Sequence, residues 1–129
     1  MSGLNPVLFT MKLQARFLKQ VSLGKKIVEG RVFIPKYANL AVGRIIRFTP
    51  EDYSNNFVDV HVTRLTRYSS FRDMLLLEGI ENCLPGTACV EEGVKIYHSF
   101  PGYQTDAVKY GVLAIGIKVD ILKKQSLSL

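Results

Sequence analysis

The sequence predicts an α+β fold: a small, mostly antiparallel curved sheet or β-barrel with flanking helices. Three observations lead there. Hydrophobic residues make up 47% of 129 positions and charged residues 22%, so one domain can build a core without staples and is not disordered. Five segments have strand character, each bounded by Gly, Pro or a turn-rich cluster. Between them the apolar spacing changes to that of short helices. A sheet of this size hides its edges by curling or closing. We read residues 1–129 as a single domain with its core at about 7–122.

The elements follow in order. Residues 7–14, VLFTMKLQ, alternate loosely and form a first strand. Residues 15–24, ARFLKQVSLG, place Phe17, Leu18 and Val21 on one face of a short helix, with Gly24 just past its end. Residues 26–34 are a strand, because Ile27, Val28, Val32 and Phe33 favour a pleated surface and Pro35 ends it. A turn at Gly43 leads to a strand over 44–49, stopped by Pro50. The turn-rich EDYSNN precedes the clearest strand, residues 57–68. There Val58, Val60, Val62, Arg64 and Thr66 share one face and Phe57, Asp59, His61, Thr63, Leu65 and Arg67 the other. Ser70 caps a helix over 71–78, with Asp73 in its first turn and Phe71, Leu75 and Leu76 as its apolar stripe. After the Pro85-Gly86 turn, Val90, Val94 and Tyr97 mark a second helix over 88–99. Residues 110–122, nearly all apolar, make a central strand buried on both faces, with Gly116 a bulge position.

The net charge of +6 is unevenly placed: residues 1–80 hold twelve Lys/Arg against six Asp/Glu, and the remainder five against five. A lopsided basic surface favours a polyanion such as RNA. The start of the chain lacks the basic and apolar regions of a secretory signal, and Cys83 and Cys89 are expected as reduced thiols, so the expected location is intracellular, in the cytoplasm. No apolar run is long enough to cross a membrane, and no membrane partner is expected. Cys83, Cys89, His61 and His98 lack a zinc spacing, and no dinucleotide fingerprint or P-loop occurs. No metal and no cofactor is expected, and no feature specifies an oligomeric state.

The densest charge lies in GKKIVEGR, Gly24 to Arg31. Glu29 and Arg31 are i, i+2 neighbours on one strand face and can pair. Lys26 falls on the opposite face unless the strand start re-aims it into the mouth of a cleft. Gly30 leaves room beside the backbone for a ligand. Arg31 can grip phosphate bidentately, and a partly buried lysine can act as a base. The plain alternative is a strand salt bridge with two solvated lysines, which contributes little.

GKKIVEGR resembles the G-x-K-x-x-E-x-R signature of the ASCH domain family. The resemblance extends in order through LAVGRIIRF, where Arg44 stands in place of the usual Asp, then YSSFRDMLLLEGI, LPG, EEGVKIYHSFPG and YGVLAIGIKV. It implies a PUA-like barrel with a cleft beside the signature, and binding of RNA or a modified nucleoside. It also implies, as an alternative, a hydrolase: an amidohydrolase on N4-acetylcytidine or a ribonuclease. Carried over, the signature lysine is Lys26 and the arginine Arg31. Glu29 stands where the amidohydrolase subgroup has threonine, and CLPGTAC carries no acid for that subgroup's glutamate, with Glu78, Glu81, Glu91 and Glu92 the nearest. The candidate binding residues are therefore Gly24, Lys25, Lys26, Glu29, Arg31, Tyr68 and Ser69, with Lys26 and Glu29 catalytic if the protein is an enzyme. Tyr37, Tyr53, Tyr103 and Tyr110 are aromatics available to stack on an unpaired base. Lys12, Arg16 and Lys19 extend a patch for the backbone.

Overall fold

The structure, a computed structural model, describes residues 7–52 and 55–119. Tyr53, the end of the last expected strand beyond 119 and the C-terminal tail lie outside the described residues. The strands are β1 (Val7–Leu13), β2 (Val28–Val32), β3 (Ile45–Pro50), β4 (Val58–Tyr68) and β5 (Val112–Val119). They form one mixed sheet in the order β1-β3-β4-β5-β2, curled into a half-barrel. Three of its pairings are antiparallel. β1 pairs β3 in parallel, and the intervening α1 (Ala15–Ser22) and β2 make the crossover that a parallel pair requires.

The sheet is apolar on both faces. Leu113, Ile115 and Ile117 of β5 join Val58, Val60 and Val62, with Leu18, Val21 and Phe48, in one core cluster. Val112 and Ala114 join Val28, Val32, Phe71, Met74 and Tyr97 in a second, under the helices that follow β4. β5 is thus buried on both sides, as its composition predicts.

β4 departs from simple alternation at one place. The register to β5 shifts between Val62 and Arg64, so Thr63 is the extra residue, and Gly116 pairs with Arg64 across from it. The bulge therefore sits on β4, and Gly116 is its partner: a Cβ there would lie 2.6 Å from Thr63 Oγ1 and 3.2 Å from Arg64 Cβ. Beyond the bulge the faces exchange. Leu65 joins the Val58 side, while Arg64 and Tyr68 both reach Glu78 on the other.

The helices after β4 number four among the described residues rather than the expected two: α2 (Phe71–Glu78), α3 (Ile80–Cys83), α4 (Val90–His98) and α5 (Tyr103–Tyr110). Ser70 caps α2 as expected, its Oγ accepting from Asp73 N–H at 3.1 Å. Its buried stripe is Phe71, Met74 and Leu75, and Leu76 is 60% exposed, because residues 71, 74 and 75 share a face at helical spacing and 76 does not. α5 claims Tyr110, expected to begin the strand, and Gly111 at φ +79 separates helix from strand. Gly93 lets α4 approach α2, since a Cβ would stand 2.8 Å from Leu75 Cδ1.

Candidate functional site

A helix ending sets the site's geometry. Gly24, at φ +75, follows α1, donating its N–H to Val21 O at 3.0 Å, while Lys25 N–H reaches Gln20 O at 2.9 Å. These two bonds are a Schellman ending, which only a residue at ease with positive φ completes. The reversal turns Lys26 inward before β2 begins, so it does not take the alternating position that strand phase alone assigns it. Lys26 is 2% exposed.

Its ammonium meets three acceptors: Val28 O at 2.8 Å, Cys83 O at 2.5 Å and Glu29 Oε1 at 3.0 Å. Arg31 Nε donates to Glu29 Oε2 at 2.7 Å, and Arg31 Nη2 to Lys12 O at 2.8 Å. Glu29 thus lies between two cations, one on each oxygen. Burial pushes its pKa up, but the charges of Lys26 and Arg31, with their hydrogen bonds, outweigh that and hold it below the usual range. Glu29 is a carboxylate at neutral pH. Burial works against the charge of Arg31, and Glu29 leads the contributions that together outweigh it.

β1 and β2 are the two edges of the half-barrel, so the Arg31 bond to Lys12 O joins edge to edge by a side chain where a closed barrel would have a ladder. The seam leaves a cleft of about 220 Å³. Lys26, Glu29, Gly30 and Arg31 line its floor, Lys12 and Gln14 one side, and Phe17, Tyr97, Phe100 and Tyr103 its aromatic walls. Phe71 stacks on Tyr97 with centroids 4.3 Å apart and planes at 8°, fixing that ring. Glu51 also lines the cleft.

Of the candidate residues, Lys26, Glu29 and Arg31 converge on one hollow. Gly24 and Lys25 shape the approach but do not line it. Tyr68 and Ser69 lie elsewhere: the Tyr68 hydroxyl donates to Glu78 Oε2 at 2.6 Å and Ser69 Oγ to Asp73 Oδ2 at 2.8 Å. Tyr37 is buried in the first core cluster, while Tyr103 does line the cleft. The room beside Gly30 is filled by protein, since a Cβ would meet Met74 Cε at 2.7 Å and Tyr97 Oη at 3.0 Å. Glu78, Glu81, Glu91 and Glu92 each hold another partner and none lines the cleft.

Sequence reasoning passes over Tyr97 and Phe100 as site residues, and the short range of their signal explains why. Tyr97 has core spacing on α4, and only the tertiary fold shows that it lines the cleft. Gln14 and Phe17 come from the start of α1 and Glu51 from just past β3, and they carry no local motif.

A sequence profile described as the ASCH domain matches residues 11–120. No curated protein matches the chain. Among solved structures, the chain is similar to a crystal structure of hypothetical protein PH0355, at 40% identity over 87% of this chain and 98% of the other, with a TM-score of 0.77. It is also similar to the solution structure of protein PF0455 from Pyrococcus furiosus, at 38% identity over 86% and 96%, with a TM-score of 0.69. The crystal structure of ASCH from Zymomonas mobilis shares the fold at 15% identity over 84% of this chain and 65% of that one, with a TM-score of 0.58.

Proposed function

The chain belongs to the ASCH domain family, and from that premise we propose that it is an RNA-binding module whose seam between β1 and β2 takes up one unpaired base. The observation that carries this reading is the convergence of the buried Lys26–Glu29–Arg31 triad and an aromatic wall on a single cleft. A space of about 220 Å³ is smaller than the roughly 300–1,000 Å³ of drug-sized sites and suits a single ring, not a run of nucleotides. Unpaired bases are the usual target of sequence-specific RNA recognition, held by aromatic faces and polar edges. Arg16, whose guanidinium lies 4.4 Å above the Phe17 ring, stands beside this wall as a cation for the backbone.

The hydrolase alternative has less support. A lysine whose three ammonium hydrogens all face protein acceptors is poorly placed as base or nucleophile, and a carboxylate held ionised between two cations is a weak general acid. Incubation with N4-acetylcytidine and chromatography for cytidine tests the amidohydrolase. Loss of RNA cleavage on Lys26→Ala tests the ribonuclease.

The deciding experiment is anisotropy of labelled single-stranded RNA across a salt series. Affinity should fall as salt rises, with a logarithmic slope of about 0.7 per phosphate neutralised, and Arg16→Ala should flatten the slope by about that amount. Failure to bind RNA, or binding indifferent to salt, overturns the reading.

A further inference from the structure

We infer that the floor of the cleft recognises an uncharged ring edge, read by the Tyr97 hydroxyl and the Gly30 peptide, and that the ionic triad positions these groups without gripping the ligand itself. This rests on the base-binding reading and specifies which atoms do the recognising.

The triad's donors come first. Lys26 has its three acceptors within the protein, and Arg31 has given Nε to Glu29 and Nη2 to the β1 main chain. An anion entering this deep would find Lys26 already occupied and Glu29 facing it. Only the outer N–H groups of Arg31 remain for an anion, so the deepest part of the floor is left to neutral groups.

Two neutral polar groups are also left without a partner among the described residues. The Tyr97 hydroxyl is buried and has no hydrogen-bond partner among the described residues. Buried hydroxyls rarely go without one, and this one packs over Gly30, 3.0 Å from where a Cβ would stand, on a ring that lines the cleft. Burial, reinforced by the Glu29 charge, raises its pKa well above the ordinary tyrosine value, so it enters as a neutral donor and acceptor.

Ladder geometry turns the Gly30 peptide toward the seam. The bond from Ile117 N–H to Ile27 O at one end and from Phe33 N–H to Gly111 O at the other make the odd-numbered residues of β2 the ones that pair with β5. Val28, Gly30 and Val32 therefore aim their main-chain groups at the seam. Val28 O is taken by Lys26 Nζ, and Val32 O by Ile34 N–H at 2.8 Å. Between them, Gly30 has no such partner among the described residues. One strand residue turned outward offers N–H and C=O side by side. That pair complements an adjacent acceptor and donor, the feature shared by the Watson–Crick edges of nucleobases.

The test uses the full-length protein, its Tyr97→Phe variant, and four probes: RNA, a panel of free nucleosides, ribose 5-phosphate and inorganic phosphate. Tyr97→Phe removes one oxygen that bonds nothing in the free protein and keeps the stack on Phe71, so its melting temperature should match or exceed the parent's. Its affinity for RNA and for the preferred nucleoside should fall about 3- to 10-fold, the range of one neutral hydrogen bond. The Gly30 amide resonance should move on adding that nucleoside and stay fixed with ribose 5-phosphate or phosphate. Equal binding by parent and variant, a Gly30 amide unmoved while the nucleoside binds, or a response to phosphate alone each overturns the inference. A parent that binds no RNA refutes the base-binding reading instead, and a nucleoside that still moves the Gly30 amide would then sustain ring-edge recognition by itself.

Discussion

Glu29→Gln is the most informative single change, because it keeps the shape of the side chain and removes the one anion between two buried cations. Side-chain exposures are 1% for Lys26, 6% for Glu29 and 15% for Arg31, so water screens little of the attraction among them. The parent cluster carries a net charge of +1, and the variant +2. The amide oxygen can still accept from Arg31 Nε, but the amide nitrogen then turns its hydrogens toward the Lys26 ammonium, donor against donor. Removing one partner of a buried pair costs about 3–5 kcal/mol. That is a large part of the roughly 5–15 kcal/mol that holds a domain together. It corresponds to a fall in melting temperature of about 10–20 °C for a chain of this length. The pH dependence is the sharper signature. The folded pKa of Glu29 lies below its unfolded value, so its contribution is complete above about pH 5, where the unfolded carboxyl is ionised. It is lost as pH falls through the depressed folded value. The gap between parent and variant should therefore be widest at neutral pH and close on acidification. Thermal or urea melts over a pH series measure it. A variant within about 1 kcal/mol of the parent at neutral pH, or a gap that does not narrow in acid, refutes the claim that Glu29 is an ionised clasp.

Three further outcomes are expected from the structure. Gly116→Ala should destabilise by about 1–3 kcal/mol, because its Cβ would meet Thr63 and the backbone of Arg64 at the bulge, and Thr63→Ala in the same chain should recover part of that loss in denaturant melts. Tyr68→Phe and Ser69→Ala should leave RNA affinity unchanged within about twofold, since both hydroxyls are bonded to Glu78 and Asp73 outside the cleft. Iodoacetamide should add one group per native chain at mildly alkaline pH, at exposed Cys89, because burial pushes the Cys83 thiol up to about 12; mass spectrometry of a labelled Cys83 in folded protein would contradict this.

How legible these features are depends on their range in the sequence. The five strands, the capped α2 and the both-faced burial of β5 rest on local period and turn chemistry, and they stand where the pattern puts them. The pairing of Glu29 with Arg31 follows from strand period alone. The placement of Lys26 does not: strand phase opposes it, and the α1 ending that re-aims it is a matter of two backbone bonds. The bulge at Thr63 is likewise silent in the Val-x-Val-x-Val run, whose alternation looks unbroken through Thr66. α5 escapes sequence reading because Tyr110 looks as much like the start of an apolar strand as the end of a helix. The aromatic wall is the least legible part, being assembled from α1, α4 and α5 only when the sheet curls.

The triad itself presents an energetic puzzle, since two buried ions and a third half-buried one are expensive, and an apolar trio of equal volume is commonly neutral or more stable by about 1–4 kcal/mol. Its main-chain contacts supply the reason it is not replaceable here. Lys26 covers Val28 O and Cys83 O, and Arg31 covers Lys12 O, three carbonyls from β2, α3 and β1 that no ladder reaches across the seam. Leaving a buried acceptor bare costs about 1–3 kcal/mol each, so apolar substitution would orphan the two buried carbonyls that Lys26 covers, worth about 2–6 kcal/mol, and so cancel what it returns. Glu29 is then required because two cations cannot be buried side by side without an anion between them. Ionic side chains take the place of the missing rungs between β1 and β2, and the half-barrel stays open along that line. Only an open seam leaves a strand peptide such as Gly30 turned toward a space where something other than a strand can pair with it.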